Sequence, residues 1–136
     1  MIVHLDTSVL VSAFTGSRTL LPTVRGVIGA GHPLGTSAPV MYEWLRGPRV
    51  EAELELQREL CPSDQTVAFN ATEATVAARI YKVLKRSRGR EMDIAIAACA
   101  IEHGAAIWTL NTGHFQDIPG VRLYQPKPGT VRSKKS

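Results

Sequence analysis

The N-terminal stretch IVHLDTSVLVSAF (residues 2–14) decides how the rest of the chain is read. Ile2, Val3 and Leu5 form a short apolar run of the kind that makes a buried strand, and the run ends on a carboxylate, Asp6. A helix is predicted directly afterwards, over 8–14. Asp6 then has two readings. Together with Thr7 and Ser8 it can cap that helix, because a short side-chain oxygen accepts from the free N–H groups of a first turn. It can equally be a ligand-binding acid, because α/β sheets bind their ligands outside the carboxyl ends of their strands.

Further strands are expected at HPLGTS (32–37), TVAFN (66–70), AAIWTL (105–110) and VRLY (121–124). Helical segments fall between them. RTLLPTVRGVIGAG (18–31) has Pro22 near its start, and APVMYEWLRGP (38–48) has Pro39 in its first turn and Gly47-Pro48 as a stop. VEAELELQREL (50–60) is amphipathic through Val50, Leu54, Leu56 and Leu60. From Ala71 to Lys85, capped by Asn70, the residues Ala74, Ala77, Ala78, Tyr81 and Leu84 form a helical stripe that Gly89 ends. DIAIAACAIEHG (93–104) is apolar nearly all round and predicts a buried helix. Strands alternating with helices give an α/β fold, a central parallel sheet of four to five strands flanked by helices, connected by right-handed crossovers.

Composition fits one soluble domain, with 136 residues, 44% hydrophobic and 21% charged. The domain is expected over 1–125, followed by a basic, flexible tail over 126–136. No apolar run reaches the roughly 20 residues needed to cross a bilayer, and no secretory leader is visible, so no membrane partner and a cytoplasmic setting are expected. Cys61 and Cys99 lie in no metal-ligand spacing and are expected to be inert. The net charge of +4 resides in the tail, since residues 1–126 carry 12 basic and 12 acidic side chains. Within that neutral body, RIYKVLKRSRGR (79–90) holds six cations and no acid. Arg79, Lys82, Arg86, Arg88 and Arg90 are candidates for RNA binding, with a solvated helix face as the plain alternative.

Topology brings three acids to one rim. Asp6 ends the first strand, Glu43 lies early in the helix leaving the second, and Asp93 begins the helix that returns to the fourth. Each alone has an ordinary reading, as a cap or a solvated helix charge. Together they repel, by roughly 3 kcal/mol for two carboxylates about 5 Å apart at an effective dielectric near 20. No Lys or Arg occurs in 1–17, 33–45 or 91–121 to offset them. A hard divalent cation, Mg2+ or Mn2+, is the expected partner, in a setting suited to metal-assisted phosphoryl transfer. Thr109 and Asn111 end the fourth strand at the same rim, and Thr7, Ser8 and Thr109 are placed to support the acids.

Four segments, IVHLDTSVLVSAF, YEWLRG, DIAIAACAIEHGA and WTLNTGHFQDIPG, occur in an order and at separations that resemble PIN-domain ribonucleases, above all VapC toxins of type II toxin–antitoxin systems. The resemblance implies a PIN-like fold and cleavage of RNA with one or two divalent ions held at Asp6, Glu43 and Asp93. Asn111 and His114 stand where many members carry a fourth acid, so Asn111 is expected to bind a water or a substrate phosphate through its amide. Asp117, the nearest carboxylate, reads as a turn residue before Ile118-Pro119-Gly120. The resemblance also implies a homodimer and a small VapB-like antitoxin whose helix covers apolar residues beside the acids. Some of Phe14, Leu20 and Trp44 are expected to stay partly exposed for that purpose, and Leu21 and Leu45 to pack in the core. A non-catalytic RNA- or protein-binding module of the same fold remains the main alternative. A haloacid-dehalogenase phosphatase is disfavoured, because Asp6-Thr7-Ser8 lacks a second acid two residues on.

Overall fold

The computed structural model describes residues 1–126, so most of the basic tail, 127–136, lies outside the described residues. The elements are β1 (Val3–Leu5), α1 (Thr7–Phe14), α2 (Leu21–Gly29), β2 (Leu34–Ser37), α3 (Ala38–Arg46), α4 (Glu51–Leu60), β3 (Thr66–Val67), α5 (Ala71–Val83), α6 (Glu91–Glu102) and β4 (Ala106–Trp108). The sheet is four-stranded and parallel, in the order β3-β2-β1-β4. VRLY contributes one parallel bridge, Leu123 to Ile107, in place of the expected fifth strand. β1 is central, with Val3 paired to both Leu34 and Ala106. The chain leaves β1 towards β2 and later returns to its other side as β4, so strand order reverses at β1. That reversal opens a crevice at the carboxyl ends of β1 and β4.

Helices cover both faces of the sheet, which explains why every residue of β1 is buried, His4 included. α1 packs on α2, α3 and α4, and α5 packs on α6. α3 and α6 also touch each other, which brings the helix of Glu43 to the helix of Asp93. Gly89 has φ +85°, a left-handed conformation that suits glycine, in the turn between α5 and α6.

Three expected placements change. Phe14 and Trp44 are both 0% exposed and meet edge to face with centroids 6.1 Å apart. The Trp44 indole N–H donates to Gln57 Oε1 at 3.2 Å, and the Arg49 guanidinium lies 4.1 Å over its ring. A polar partner on α4 thus lets a large aromatic side chain sit fully inside. Leu45 is turned outward instead, 56% exposed, because Trp44 takes the core position on this short helix. Leu20 and Leu21 are both half-buried against the core. The buried face of α5 is also rotated from the expected stripe. Glu73, Val76, Ala77 and Ile80 face inward, while Ala74, Ala78 and Tyr81 face outward. Alanine tolerates either side, and Ile80 outweighs Tyr81 for the dry one.

Glu73 is buried because its carboxylate has partners on two sides. Oε1 accepts from the Asn70 N–H at 2.9 Å, and Oε2 lies 2.9 Å from His103 Nε2. The Asn70 and Glu73 N–H groups, then His103, hold this carboxyl below its usual range. Cys61 and Cys99 are free and buried, with thiols pushed up to about 12 and about 11, first by burial. Such thiols are unreactive.

His4 is 4% exposed, and its Nδ1 makes no hydrogen bond among the described residues. Burial, and then the field of His103, lowers its pKa from 6.5 to about 4. Between those values the unfolded chain binds a proton that the folded chain refuses. Stability therefore falls as pH drops from about 6.5 to about 4, by on the order of 3 kcal/mol from this group, and levels off below. Urea unfolding of the wild type and of His4→Leu across that range should show a steeper loss in the wild type, with parallel curves above pH 7.

Candidate functional site

Asp6 is the residue on which the site is built. It immediately follows β1 and precedes α1, and its N–H donates to the Trp108 carbonyl at 3.0 Å. Its backbone occupies the cap position of α1, but its side chain makes no cap hydrogen bond. Oδ2 accepts instead from Ser8 Oγ at 2.9 Å and Thr109 Oγ1 at 2.8 Å. Ser8 Oγ and Thr109 Oγ1 in turn accept from the Leu110 and Asn111 N–H groups at 3.0 and 2.9 Å. One carboxylate oxygen is thereby held between α1 and the chain leaving β4. Oδ1 has no hydrogen-bond partner among the described residues. A carboxylate 6% exposed and fixed this way is oriented for a ligand rather than for its own helix.

Asp6, Thr7, Ser8, Glu43, Asp93 and Asn111 line one open pocket of about 640 Å³, together with Val11, Ser12, Arg46, Gly89, Met92 and His114. Glu43 Oε1 accepts from Thr7 Oγ1 at 2.6 Å. Asp93 is the third residue of α6, within its first turn but not its cap, which is Arg90. The Asp93 carboxyl is pushed up, first by burial, while His114 opposes the rise and Asp6 and Glu43 add to it. His114 Nδ1 is 3.6 Å from Asp93 Oδ2. The negative fields of the three acids overlap in a half-buried space, and that electrostatic strain is what a cation relieves.

Among the described residues, no three His, Cys, Asp or Glu side chains close on a single point to hold a metal ion. The donors present fit an ion that takes one or two carboxylates and keeps several waters, as magnesium does. The acids offer only oxygens, Asp6 is pre-oriented, and burial, with the fields of Asp6 and Glu43 adding to it, raises the Asp93 carboxyl. Asp6 and Asp93 would hold such an ion, with Glu43 lining the same pocket.

Two further side chains, Arg46 and His114, lie near the acids. Arg46 closes α3 one turn beyond Glu43, with NH2 3.9 Å from Glu43 Oε2. Its position three residues after Glu43 was the available signal. His114, which stands where an acid might be expected, turns its ring to Asp93. Of the five basic candidates in 79–90, Arg79, Lys82, Arg86 and Arg88 are exposed. Arg90 is different. Its guanidinium donates to both Asp117 oxygens, at 2.9 and 2.6 Å, and to the His114 and Arg86 carbonyls at 2.9 and 3.0 Å. Asp117 is held low by that pairing. Asp117 is accordingly an ion-pair partner as well as a turn residue, and Arg90 ties the 112–117 segment to the start of α6 instead of facing nucleic acid. Arg90→Gln should speed amide exchange at Phe115, Gln116 and Ile118 several-fold, while exchange in β1 and α1 stays unchanged, as measured by hydrogen–deuterium exchange.

A family model described as PIN domain matches residues 3–121. No curated protein matches the chain by sequence. Among solved structures, the chain is similar to DNA-bound VapBC from Salmonella typhimurium, with a TM-score of 0.73, 19% identity, and coverage of 91% of this chain and 97% of that one. VapBC2 from Rickettsia felis bound to a promoter DNA fragment gives a TM-score of 0.70 at 20% identity, covering 91% and 98%. FitAcB from Neisseria gonorrhoeae gives 0.68 at 22% identity, covering 93% and 98%.

Proposed function

The chain belongs to the PIN domain family, and from that premise we propose that it is a divalent-metal-dependent endoribonuclease serving as the toxin of a toxin–antitoxin pair. The observation that carries the chemistry is the single pocket lined by Asp6, Glu43 and Asp93, with Asp6 oriented by two hydroxyls. Bound Mg2+ or Mn2+ supplies positive charge to the phosphoryl oxygens and lowers the pKa of an attacking water. Asp6 and Asp93 would hold the ion, and Glu43, whose Oε1 accepts from Thr7 Oγ1, would help to hold it or the water. The Asn111 amide is at hand for a substrate phosphate or a bound water. Attack by water leaves 5′-phosphate and 3′-hydroxyl ends, and the RNA 2′-hydroxyl takes no part.

The test incubates purified protein with cellular RNA in magnesium, in manganese and in EDTA, and maps the ends. Cleavage should need the metal. Asp6→Asn and Asp93→Asn should reduce it to background, Glu43→Gln nearly so, and Thr109→Val by about 10–100-fold through its hold on Asp6. Cleavage that survives EDTA and leaves 2′,3′-cyclic phosphates would falsify the mechanism. A protein that binds RNA but never cuts it is the non-catalytic module.

The partner reading rests on the similar structures, several of which are toxin–antitoxin complexes. A VapB-like antitoxin would cover the apolar residues left outside near the pocket. Those are Val11, 37% exposed, and Leu45, 56% exposed, which join the half-buried Leu20 in place of Phe14 and Trp44. Leu45→Glu should weaken antitoxin binding at least about tenfold while RNA cleavage persists, as calorimetry and the cleavage assay report. Self-association as a homodimer and action in the cytoplasm, where the RNA is, complete the proposal. No described helix is long and apolar enough to cross a membrane.

A further inference from the structure

A pocket lined by three carboxylates repels the polyanion it is proposed to cut, so the cations around it need separate inspection. Arg90 is engaged through both terminal nitrogens by Asp117 and two carbonyls. Arg49 donates to the Trp44 and Pro48 carbonyls and stacks on the Trp44 ring. Arg46 is the only Lys or Arg lining the pocket among the described residues. Its side chain is 56% exposed, its approach to Glu43 at 3.9 Å is longer than a hydrogen bond, and none of its donors is engaged among the described residues. Its guanidinium carbon lies 5.0 Å from the ring centroid of Tyr42, one turn back on α3. Tyr42 is 55% exposed. The head of Arg46 is therefore positioned by an aromatic ring, which leaves its N–H fork unused, between the acids on one side and an exposed aromatic on the other.

We infer that Arg46 and Tyr42 form a nucleotide-binding element at the mouth of the acidic pocket, in which Arg46 grips an RNA phosphate beside the scissile one and Tyr42 stacks a neighbouring base. This rests on the ribonuclease reading and adds which residues seat the substrate. A planar fork matches two phosphate oxygens, and a tyrosine face accepts any base, so the element supplies affinity without sequence preference. It also gives the acids a substrate-linked counter-charge. The plain alternative is that Arg46 is a last-turn cation favoured by the α3 dipole and by Glu43. The two differ in what happens to RNA.

The experiment measures binding of a fluorescent single-stranded RNA of random sequence to the Asp6→Asn protein, which cannot cut it, across a series of salt concentrations. Adding Arg46→Gln should weaken binding about tenfold at low salt and flatten the log–log salt slope by about 0.7, the value for one phosphate contact on a single strand. Arg46→Lys should restore the slope but only part of the affinity. Tyr42→Ala should weaken binding by a similar factor with the salt slope unchanged, because stacking releases no counterion. In the cutting protein, Arg46→Gln should act mainly on KM. Cleavage by the wild type together with unchanged affinity and slope in Arg46→Gln overturns this inference and leaves the ribonuclease reading standing. Absence of both RNA binding and cleavage in the wild type overturns both. Thermal unfolding of Arg46→Gln and Arg46→Lys should match the parent, since the side chain is exposed.

Discussion

The hold on one oxygen of Asp6 is the interaction around which the molecule is arranged. Ser8 from the first turn of α1 and Thr109 from the end of β4 both donate to Oδ2, and their own oxygens accept N–H groups from the chain that leaves β4. The contact joins residues 103 positions apart in sequence, so it exists only once β4 has docked beside β1. It also removes Asp6 from the role its local sequence suggests. The side chain makes no cap hydrogen bond to the helix it precedes, and Asp6 lines the pocket instead.

From that anchor the electrostatics follow. Glu43 and Asp93 arrive on α3 and α6, which touch each other, and burial first, with Asp6 and Glu43 adding to it against His114, raises the Asp93 carboxyl. Such an arrangement costs folding free energy and persists where function needs it. The surrounding cations divide the remaining work. Arg90 is consumed by structure, fastening the segment that carries His114. Arg49 is consumed by the Trp44 ring and carbonyl. Arg46, which lines the pocket, keeps its donors. Clustering in sequence is thus a poor guide to which cations are available. Arg90 sits within the densest basic run, while Arg46 stands beside the acids without attracting notice.

Core packing sets the surface in the same way. Trp44 can be buried only because Gln57, a polar residue on a different helix, accepts its indole hydrogen bond. With Trp44 inside, Leu45 and Tyr42 are directed outward on a helix of nine residues, and the exposed apolar and aromatic groups near the acids become Val11, Tyr42 and Leu45. Of Phe14, Leu20 and Trp44, some of which are expected to be open to a partner, Leu20 is partly exposed while Phe14 and Trp44 are buried, because Gln57 is the polar group that accompanies the largest of them inside.

Local patterning in the sequence determined the alternation of short apolar runs with helical stripes, the proline-marked starts of α2 and α3, the glycine end of the α5 region and hence a parallel α/β sheet with its acids on the carboxyl rim. These features depend on residues within a turn or two of one another, where side-chain period and backbone preference act directly. Tertiary structure alone decided which face of α5 is buried, that VRLY makes a single bridge, that Trp44 is inside and Leu45 outside, and that Arg90 closes on Asp117. Each of those outcomes is a competition between groups distant in the chain, a ring seeking an acceptor or a guanidinium seeking a carboxylate. Spacing along the sequence carries no record of which partner is within reach.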